Sequence, residues 1–320
     1  MELPFSVRMY IENEINNINI NSLKIESEKI SNNYRKKNRN GKSLLKEQNE
    51  AIAYAITRMP ATYGAVSKSI EKLIEIYTPN ITTVADIGAG TGSVGIAVNE
   101  LLDVKEIECF EREENMIDIG KLILSNYSEG SSKIKWTKLD ITQDQINNEY
   151  DMVISAYMIN ELNEKDINNV IEKMWNISKD IILIVEPGTV QGYKNIMKVK
   201  DKLVEMGGNI IAPCISKKCN LQQNDWCNFY SRVQRTKIHK KLKSGDLPYE
   251  DEKFIYIAIS KKEKIINNKS RIIRHPLLYN GYIKLKICTD KGIEELIISK
   301  KEKERFQHAK KLNHGDMIKM

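Results

Sequence analysis

The chain has 320 residues, 41% hydrophobic and 29% charged, with a formal net charge of +7. That balance excludes wholesale disorder and a fibrous repeat, and a chain of this length buries roughly three quarters of its unfolded surface without disulfides. The longest aliphatic run, Ile181-Ile182-Leu183-Ile184-Val185, is far shorter than the roughly 20 residues of a membrane span. The first residues reach no apolar core before Glu12 and Glu14, so no secretory signal is expected. A soluble cytoplasmic protein follows, with clustered thiols serving as metal ligands or core rather than disulfides.

In chain order, residues 1–43 are polar, carry the basic run Arg35-Lys36-Lys37-Asn38-Arg39, and read as a surface helix or arm. Ile52, Ile56 and Met59 then recur at helical spacing up to Pro60, which is expected to stop the helix. A second helix follows, with Val66, Ile70, Leu73 and Tyr77 on one face. From Thr82 short apolar runs predict strands over 83–87, 107–110, 134–136, 152–155 and 181–185. Amphipathic stretches such as Val94, Val98, Leu101 and Leu102 lie between them. This alternation predicts an α/β fold, a doubly wound Rossmann-like sheet built from parallel βαβ units. Two further strands are expected at 209–212 and 254–259, and a tail with strands at 282–287 and 295–299 and a helix at 305–311. The expected organisation is therefore an N-terminal helical region (1–80), the doubly wound domain (81–260) with a cysteine-rich basic insert (212–250), and a small β-rich extension (261–320).

Asp86-Ile87-Gly88-Ala89-Gly90-Thr91-Gly92 follows the first strand and opens a helix. Glycines are needed there because the chain turns tightly and lets a ligand approach bare backbone. A dinucleotide fingerprint places its third glycine where this chain has Ser93. The G-x-G-x-G pattern after an acid resembles the loop of class I S-adenosylmethionine (SAM) methyltransferases. Glu111, 19 residues past Gly92 at the end of the second strand, is placed for ribose hydroxyls. Asp140, after the third strand, is placed for an adenine amino group, although such an Asp also caps helices. The competing reading is a tight turn that binds nothing. Three glycines in five residues with acids after two successive strands favour the cofactor, and Asp86, Gly88, Gly90, Gly92, Glu111 and Asp140 are its candidate contacts.

Three cysteines fall in one window, spaced Cys214-x4-Cys219-x7-Cys227, with Cys288 a further 61 positions on. Such thiols can enclose a tetrahedral zinc or an iron–sulfur cluster, and the missing short C-x2-4-C knuckles leave the two undecided. The bland alternative is a set of small buried hydrophobes, which is the assignment for Cys109 in the second strand. The polar surroundings of the trio argue against a core.

Residues 217–243 hold Lys217, Lys218, Arg232, Arg235, Lys237, Lys240, Lys241 and Lys243 against the single acid Asp225. Trp226, Phe229, Tyr230 and His239 are interleaved. Phosphate pairing and base stacking are both chemically available, so an RNA-contacting surface competes with a solvated helix face.

Over residues 50–316 the chain resembles the mitochondrial small-ribosomal-subunit methyltransferase-like family and its bacterial relatives. The specific pieces are Ala53-Tyr54-Ala55-Ile56-Thr57-Arg58-Met59-Pro60-Ala61-Thr62-Tyr63, the glycine loop, and Ala156-Tyr157-Met158-Ile159-Asn160-Glu161-Leu162. Glu186-Pro187-Gly188-Thr189, Ala212-Pro213-Cys214, Asp225-Trp226-Cys227 and Tyr249-Glu250-Asp251-Glu252-Lys253-Phe254 continue the match. It ends with Arg274-His275-Pro276 and Ile287-Cys288-Thr289. The resemblance implies a SAM-methyltransferase fold that partners the small ribosomal subunit and its rRNA. It also implies a 4Fe-4S cluster on Cys214, Cys219, Cys227 and Cys288, with zinc as the fallback. Ile215-Ser216 stands where relatives often have Pro-His after the first of these cysteines.

Methyl transfer to a base nitrogen often uses a [D/N/S]-P-P-[F/Y] loop after the fourth strand; here the segment is Ser155-Ala156-Tyr157-Met158. Carbon methylation needs a nucleophilic Cys facing the donor, and none lies in that loop. No catalytic residue is assigned. Two functions stay open: a SAM-dependent rRNA methyltransferase, and a non-catalytic assembly or translation factor that binds SAM and RNA.

Overall fold

The computed structural model describes residues 1–15, 22–28, 48–219, 221, 225–243, 246–262 and 269–319, so the basic run at 35–39 lies outside the described residues. Helix α1 (Phe5–Ile15) and a short helix α2 (22–28) are docked rather than free. Leu3, Val7 and Leu23 are buried in the same apolar cluster as Val84 of the sheet. The expected surface arm is thus corrected: apolar residues spaced one turn apart fasten this segment to the core.

Helices α3 (Gln48–Thr57) and α4 (Met59–Ile74) come next. Pro60 does not stop the first helix; it sits in the first turn of α4, where the missing amide hydrogen is no loss. Met59 consequently belongs to α4, and Tyr77 lies beyond its end.

The main sheet is built from β1 (Thr83–Ile87), β2 (Glu106–Glu111), β3 (Lys133–Lys138), β4 (Tyr150–Ala156), β5 (Ser178–Pro187), β6 (Asn209–Ala212), β7 (Phe229–Gln234) and β8 (Tyr249–Ser260). Its order is β3-β2-β1-β4-β5-β8-β6, with β7 also on β8. β1 to β5 pair in parallel, and β8 runs antiparallel to β5, β6 and β7. Crossover helices α5 (Ser93–Leu101), α6 (Glu114–Ser125), α7 (Glu164–Ile177) and α8 (Val190–Glu205) connect the strands, whereas β3 reaches β4 through turns. Successive residues of β1 face opposite layers: Val84 joins the cluster with α4 and α5, and Ala85 and Ile87 join the one with α7 and α8.

Two elements of the insert were not expected from the sequence, β7 and α9 (Lys237–Lys243). The tail forms a second, five-stranded sheet from β9 (Lys269–Ile272), β10 (Leu277–Leu278), β11 (Tyr282–Cys288), β12 (Ile293–Ser299) and β13 (Met317–Lys319), covered by α10 (Lys303–Ala309). Its core holds Ile272, Ile283, Leu285, Ile287, Ile298, Phe306 and Ile318. Lys72 of α4 anchors it through Asp316 at 2.8 Å.

Close approach of α8 to β5 depends on Gly192, where an added Cβ would meet the Pro187 carbonyl oxygen at 1.9 Å. Gly192→Ala is expected to force the helix outward and cost about 1–3 kcal/mol, read as a lower urea midpoint at unchanged slope.

Candidate functional site

The turn after β1 has three left-handed glycines, Gly88 (φ 75°), Gly90 (φ 57°) and Gly92 (φ 86°), a conformation other residues adopt at a cost. Gly88, Gly90, Glu111 and Asp140 line one cleft at the carboxyl ends of β1 to β4, together with Tyr54, Met116, Met158 and Glu161. Asp86 and Gly92, the other two candidate contacts, are not among its lining residues. Glu111 accepts the Gly90 amide on Oε2 at 2.8 Å, and the Arg112 and Glu113 amides on Oε1 at 2.8 and 3.0 Å. Its carboxylate therefore fixes the shape of the glycine loop. Burial still holds its pKa above the ordinary value, against the pull of those amides. Asp86 is fully buried, neither carboxylate oxygen has a hydrogen-bond partner, and burial followed by the nearby Glu111 charge drives its pKa well up. Asp140 uses Oδ1 to cap a turn, accepting from the Thr142 amide and hydroxyl at 2.9 and 2.7 Å.

The loop after β4 forms the facing wall. Tyr157 is buried in a left-handed conformation (φ 64°) that carries strain in a residue with a Cβ. Its hydroxyl donates to Glu252 Oε1 at 2.7 Å. Met158 leans on Gly88 so closely that a Cβ there would sit 2.7 Å from its Cγ. Glu186, at the end of β5, is fully buried and accepts from Asn195 at 3.4 Å. Burial raises its carboxyl to about 8, while Asn195 and the Asn160 and Ile159 amides pull the other way. The hydroxyl of Tyr157 and the carboxyl of Glu186 thus brace this wall. Tyr54 and Met158 fell in stretches matched to a family, but neither residue type announces a ligand.

The four candidate metal cysteines occupy one neighbourhood. Burial pushes the Cys214 thiol up to about 12; Lys200 and Arg271 pull it down, and Cys219 and Cys288 push it further up. Burial and then Cys214, Cys288 and Cys219 raise Cys227. Tyr193 donates its hydroxyl to Cys219 Sγ at 3.2 Å. Among the described residues, no three or more His, Cys, Asp or Glu side chains stand in metal-holding geometry. Arg271 lies opposite Cys288 in the β9–β11 register and is 1% exposed. It donates Nε to the Pro213 carbonyl and Nη1 to the Gly315 carbonyl, both at 2.7 Å, and its Nη2 has no partner. Lys200, also buried, donates to the Lys217 carbonyl at 2.6 Å. Two buried cations therefore hold the two ends of the Cys214 loop. Asp225 pairs with Arg274 and, at 3.1 Å, with Lys286 of β11, tying the loop before Cys227 to the second sheet.

The basic segment is less free than its composition implies. The β7–β8 register sets Arg232 against Asp251, and the guanidinium forms a two-pronged pair at 2.7 and 2.9 Å. Arg235 and Lys243 both reach Glu250 at 2.8 Å. Of the aromatics, Phe229 is buried against Phe254 and Tyr256, and Trp226 donates its indole to the Gly188 carbonyl at 3.0 Å. Base stacking by Phe229 is therefore excluded, and the exposed cations left here are Lys217, Lys218, Lys237 and Lys241.

The strand order, the reversed β8 and the glycine loop define a Rossmann-like methyltransferase fold. Residues 48–319 match the family described as mitochondrial small ribosomal subunit Rsm22, and the chain belongs to that family. The human mitochondrial ribosome assembly protein METTL17 is 24% identical over 198 residues, 56% of this chain and 43% of that protein. The match thus spans less than half the length of this curated relative. Among solved structures, the N-methyltransferase NodS of Bradyrhizobium japonicum, in complex with S-adenosylhomocysteine, is 9% identical with a TM-score of 0.45 and covers 74% of this chain and 99% of its own. The magnesium protoporphyrin IX methyltransferase of Synechocystis with bound SAM is 13% identical, TM-score 0.40, covering 72% of this chain and 91% of its own. No described helix is long and apolar enough to cross a membrane.

His239, 1% exposed and 3.6 Å from Glu250, has its pKa pushed from 6.5 down to about 4, first by burial and then by Lys243. The unfolded chain thus takes up this proton before the folded one. Its contribution to stability is complete above about pH 6.5 and lost as pH falls toward 4, roughly 2 kcal/mol by pH 4.5. Urea unfolding of wild type and His239→Asn at pH 7 and 4.5 should show the variant losing less stability across that interval.

Proposed function

We propose that the chain binds SAM in the cleft above the glycine loop and serves the small ribosomal subunit and its rRNA as an assembly or translation factor carrying a four-cysteine iron–sulfur site. The observation that carries this reading is the loop after β4. Tyr157 and Met158 stand where a base-methylating enzyme often offers a polar, proline-containing loop, and the Tyr157 hydroxyl is engaged by Glu252.

The residues fit the adenosyl cofactor. The left-handed glycines leave bare backbone for a close approach, Glu111 stands between loop and cleft, and Asp86 is a buried carboxylate with no partner beneath them. When bound, SAM supplies an electrophilic methyl group. Glu111 would orient the ribose and Asp140 the adenine, while Met158 and Tyr157 keep water from one side.

The donor chemistry also fits a thiolate-held cluster. Cys214 and Cys288 lie close enough to the buried Arg271 guanidinium for its charge to pull their thiols down, and Arg271 has no carboxylate partner among the described residues and one nitrogen without a hydrogen bond. A buried cation is costly without a counter-charge, and thiolates bound to iron, or to zinc as the fallback metal, supply one. A second reading, methyl transfer to rRNA, draws on Glu186, whose carboxyl at about 8 adjoins the same wall.

Calorimetric titration with SAM is expected to show one site, weakened at least tenfold in Glu111→Ala through loss of about 1.4 kcal/mol or more. Mass spectrometry of small-subunit RNA from a deletion strain should show an unchanged methylation map with immature subunits; a lost methyl group would establish the enzyme instead. Anaerobically purified protein should contain iron and sulfide with a brown absorbance, and Cys288→Ser should lose both and bind RNA more weakly. Full cluster content and normal affinity in that variant would exclude cross-bracing of the loop by Cys288.

A further inference from the structure

The second sheet holds much of the charge. Residues 261–320 contain 16 Lys and Arg against 7 Asp and Glu. Part of this surplus, Lys284 and the run starting at Lys300, borders an exposed apolar face at the end of the sheet away from the cysteines. Along β11 the side chains facing one way are Tyr282, Lys284, Lys286 and Cys288, and the opposite set, Ile283, Leu285 and Ile287, fills the core. Cys288 and Lys286 lie at the cysteine loop, where Lys286 pairs with Asp225. Toward the far end nothing among the described residues covers the strand. Leu277, Lys284 and Ile297 form one cross-strand row, with Leu277 50% and Ile297 58% exposed.

At the tip, Tyr279 and Tyr282 stack on one another, ring centroids 4.6 Å apart and planes at 14°. Both rings are substantially exposed. Backbone bonds hold the pair: the Tyr279 amide donates to the Tyr282 carbonyl at 3.0 Å, and the Lys300 amide to the Gly281 carbonyl at 2.8 Å. The second bond sets the start of the lysine run beside the rings. Lys300, Lys301 and Lys303 are exposed and form no ion pair among the described residues. Lys300 and Lys303 continue, with His308 and Lys311, into a neighbouring depression.

We propose that the Tyr279–Tyr282 stack is a base-stacking platform for single-stranded RNA, with Lys300, Lys301 and Lys303 pairing its phosphates. A rigid aromatic pair open to solvent, flanked by cations without carboxylate partners, has the two components that single-strand recognition needs: a π-face for the base and positive charge along the backbone. Two ordered rings also lose little rotamer entropy on binding. Charge complementarity selects RNA over a second copy of this chain, whose own surplus would repel it. The platform rests on the proposed association with small-subunit rRNA and assigns it a site.

The test is fluorescence anisotropy of the full chain with a fluorescein-labelled 12-nucleotide oligouridylate, beside a 12-base-pair RNA duplex. Tyr279→Ala/Tyr282→Ala is expected to bind the single strand roughly ten- to a hundredfold more weakly with duplex affinity unchanged, and Tyr279→Phe/Tyr282→Phe to bind like wild type. Lys300→Ala/Lys301→Ala/Lys303→Ala should flatten the salt dependence by about two in log–log slope. Wild-type affinity in the Ala pair, or an equal loss for the duplex, would overturn the platform. So would a dimer in sedimentation velocity that the Ala pair converts to monomer. A wild type that ignores oligouridylate yet sediments with small subunits removes the platform and leaves the proposed function standing. Tyrosine-dependent binding without subunit association does the reverse.

Discussion

Antiparallel pairing along β8 is the constraint on which the two candidate sites depend. Its last seven residues bond β5, its first six bond β7, and its end bonds β6. Because β6 and β7 share one edge of β8, the insert between them must leave the sheet and return within a strand's length. That detour carries Cys214, Cys219 and Cys227. Behind Tyr249, β8 begins with Glu250, Asp251 and Glu252, and the side chain of each takes a partner. Asp251 and Glu250 neutralise Arg232, Arg235 and Lys243, and Glu252 holds the Tyr157 hydroxyl at the cleft wall. The strand that closes the sheet therefore also sets the charge of the insert and the strain in the loop after β4.

Buried ionisable groups without ordinary partners mark both places. Asp86 is a carboxylate with neither oxygen bonded, and Arg271 a guanidinium with one free nitrogen. Burying such groups is expensive, and a fold keeps them where something else completes them. Their signs differ in an informative way. The glycine-loop end of β1 keeps acid, suited to a cationic or hydroxyl-rich ligand, whereas the cysteine loop is held from both ends by the cations Lys200 and Arg271, suited to thiolates. Arg271 does two things at once: it lies opposite Cys288 in the second sheet and grips the carbonyl before Cys214 in the first unit.

Much of the sheet was readable in the sequence. The runs over 83–87 and 209–212 coincide with β1 and β6, and the others lie within longer strands; the central strands β1, β4 and β5 are largely apolar because both their faces are buried. The glycine loop was readable for a similar reason: left-handed turns leave few residue types to choose from. Three features were hidden. Pro60 has opposite meanings at the end and the first turn of a helix, and only packing of α3 against α4 separates them. Strand β7 alternates Phe229, Ser231 and Val233 inward with Tyr230, Arg232 and Gln234 outward, but within so basic a stretch that alternation reads equally as a solvated surface. The basic surplus of 217–243 has its neutralising acids in β8, outside that window in sequence and alongside it in space.

What the residue order determined unaided is therefore local: the period of each apolar run, the turn at the glycines, and the supply of thiols and lysines. Which cations stay unpaired, where Cys288 comes to lie, and which aromatics remain uncovered were decided by tertiary structure. Strand register brings together groups dozens of residues apart, and burial alters their charge, so neither outcome is carried by any short stretch of chain.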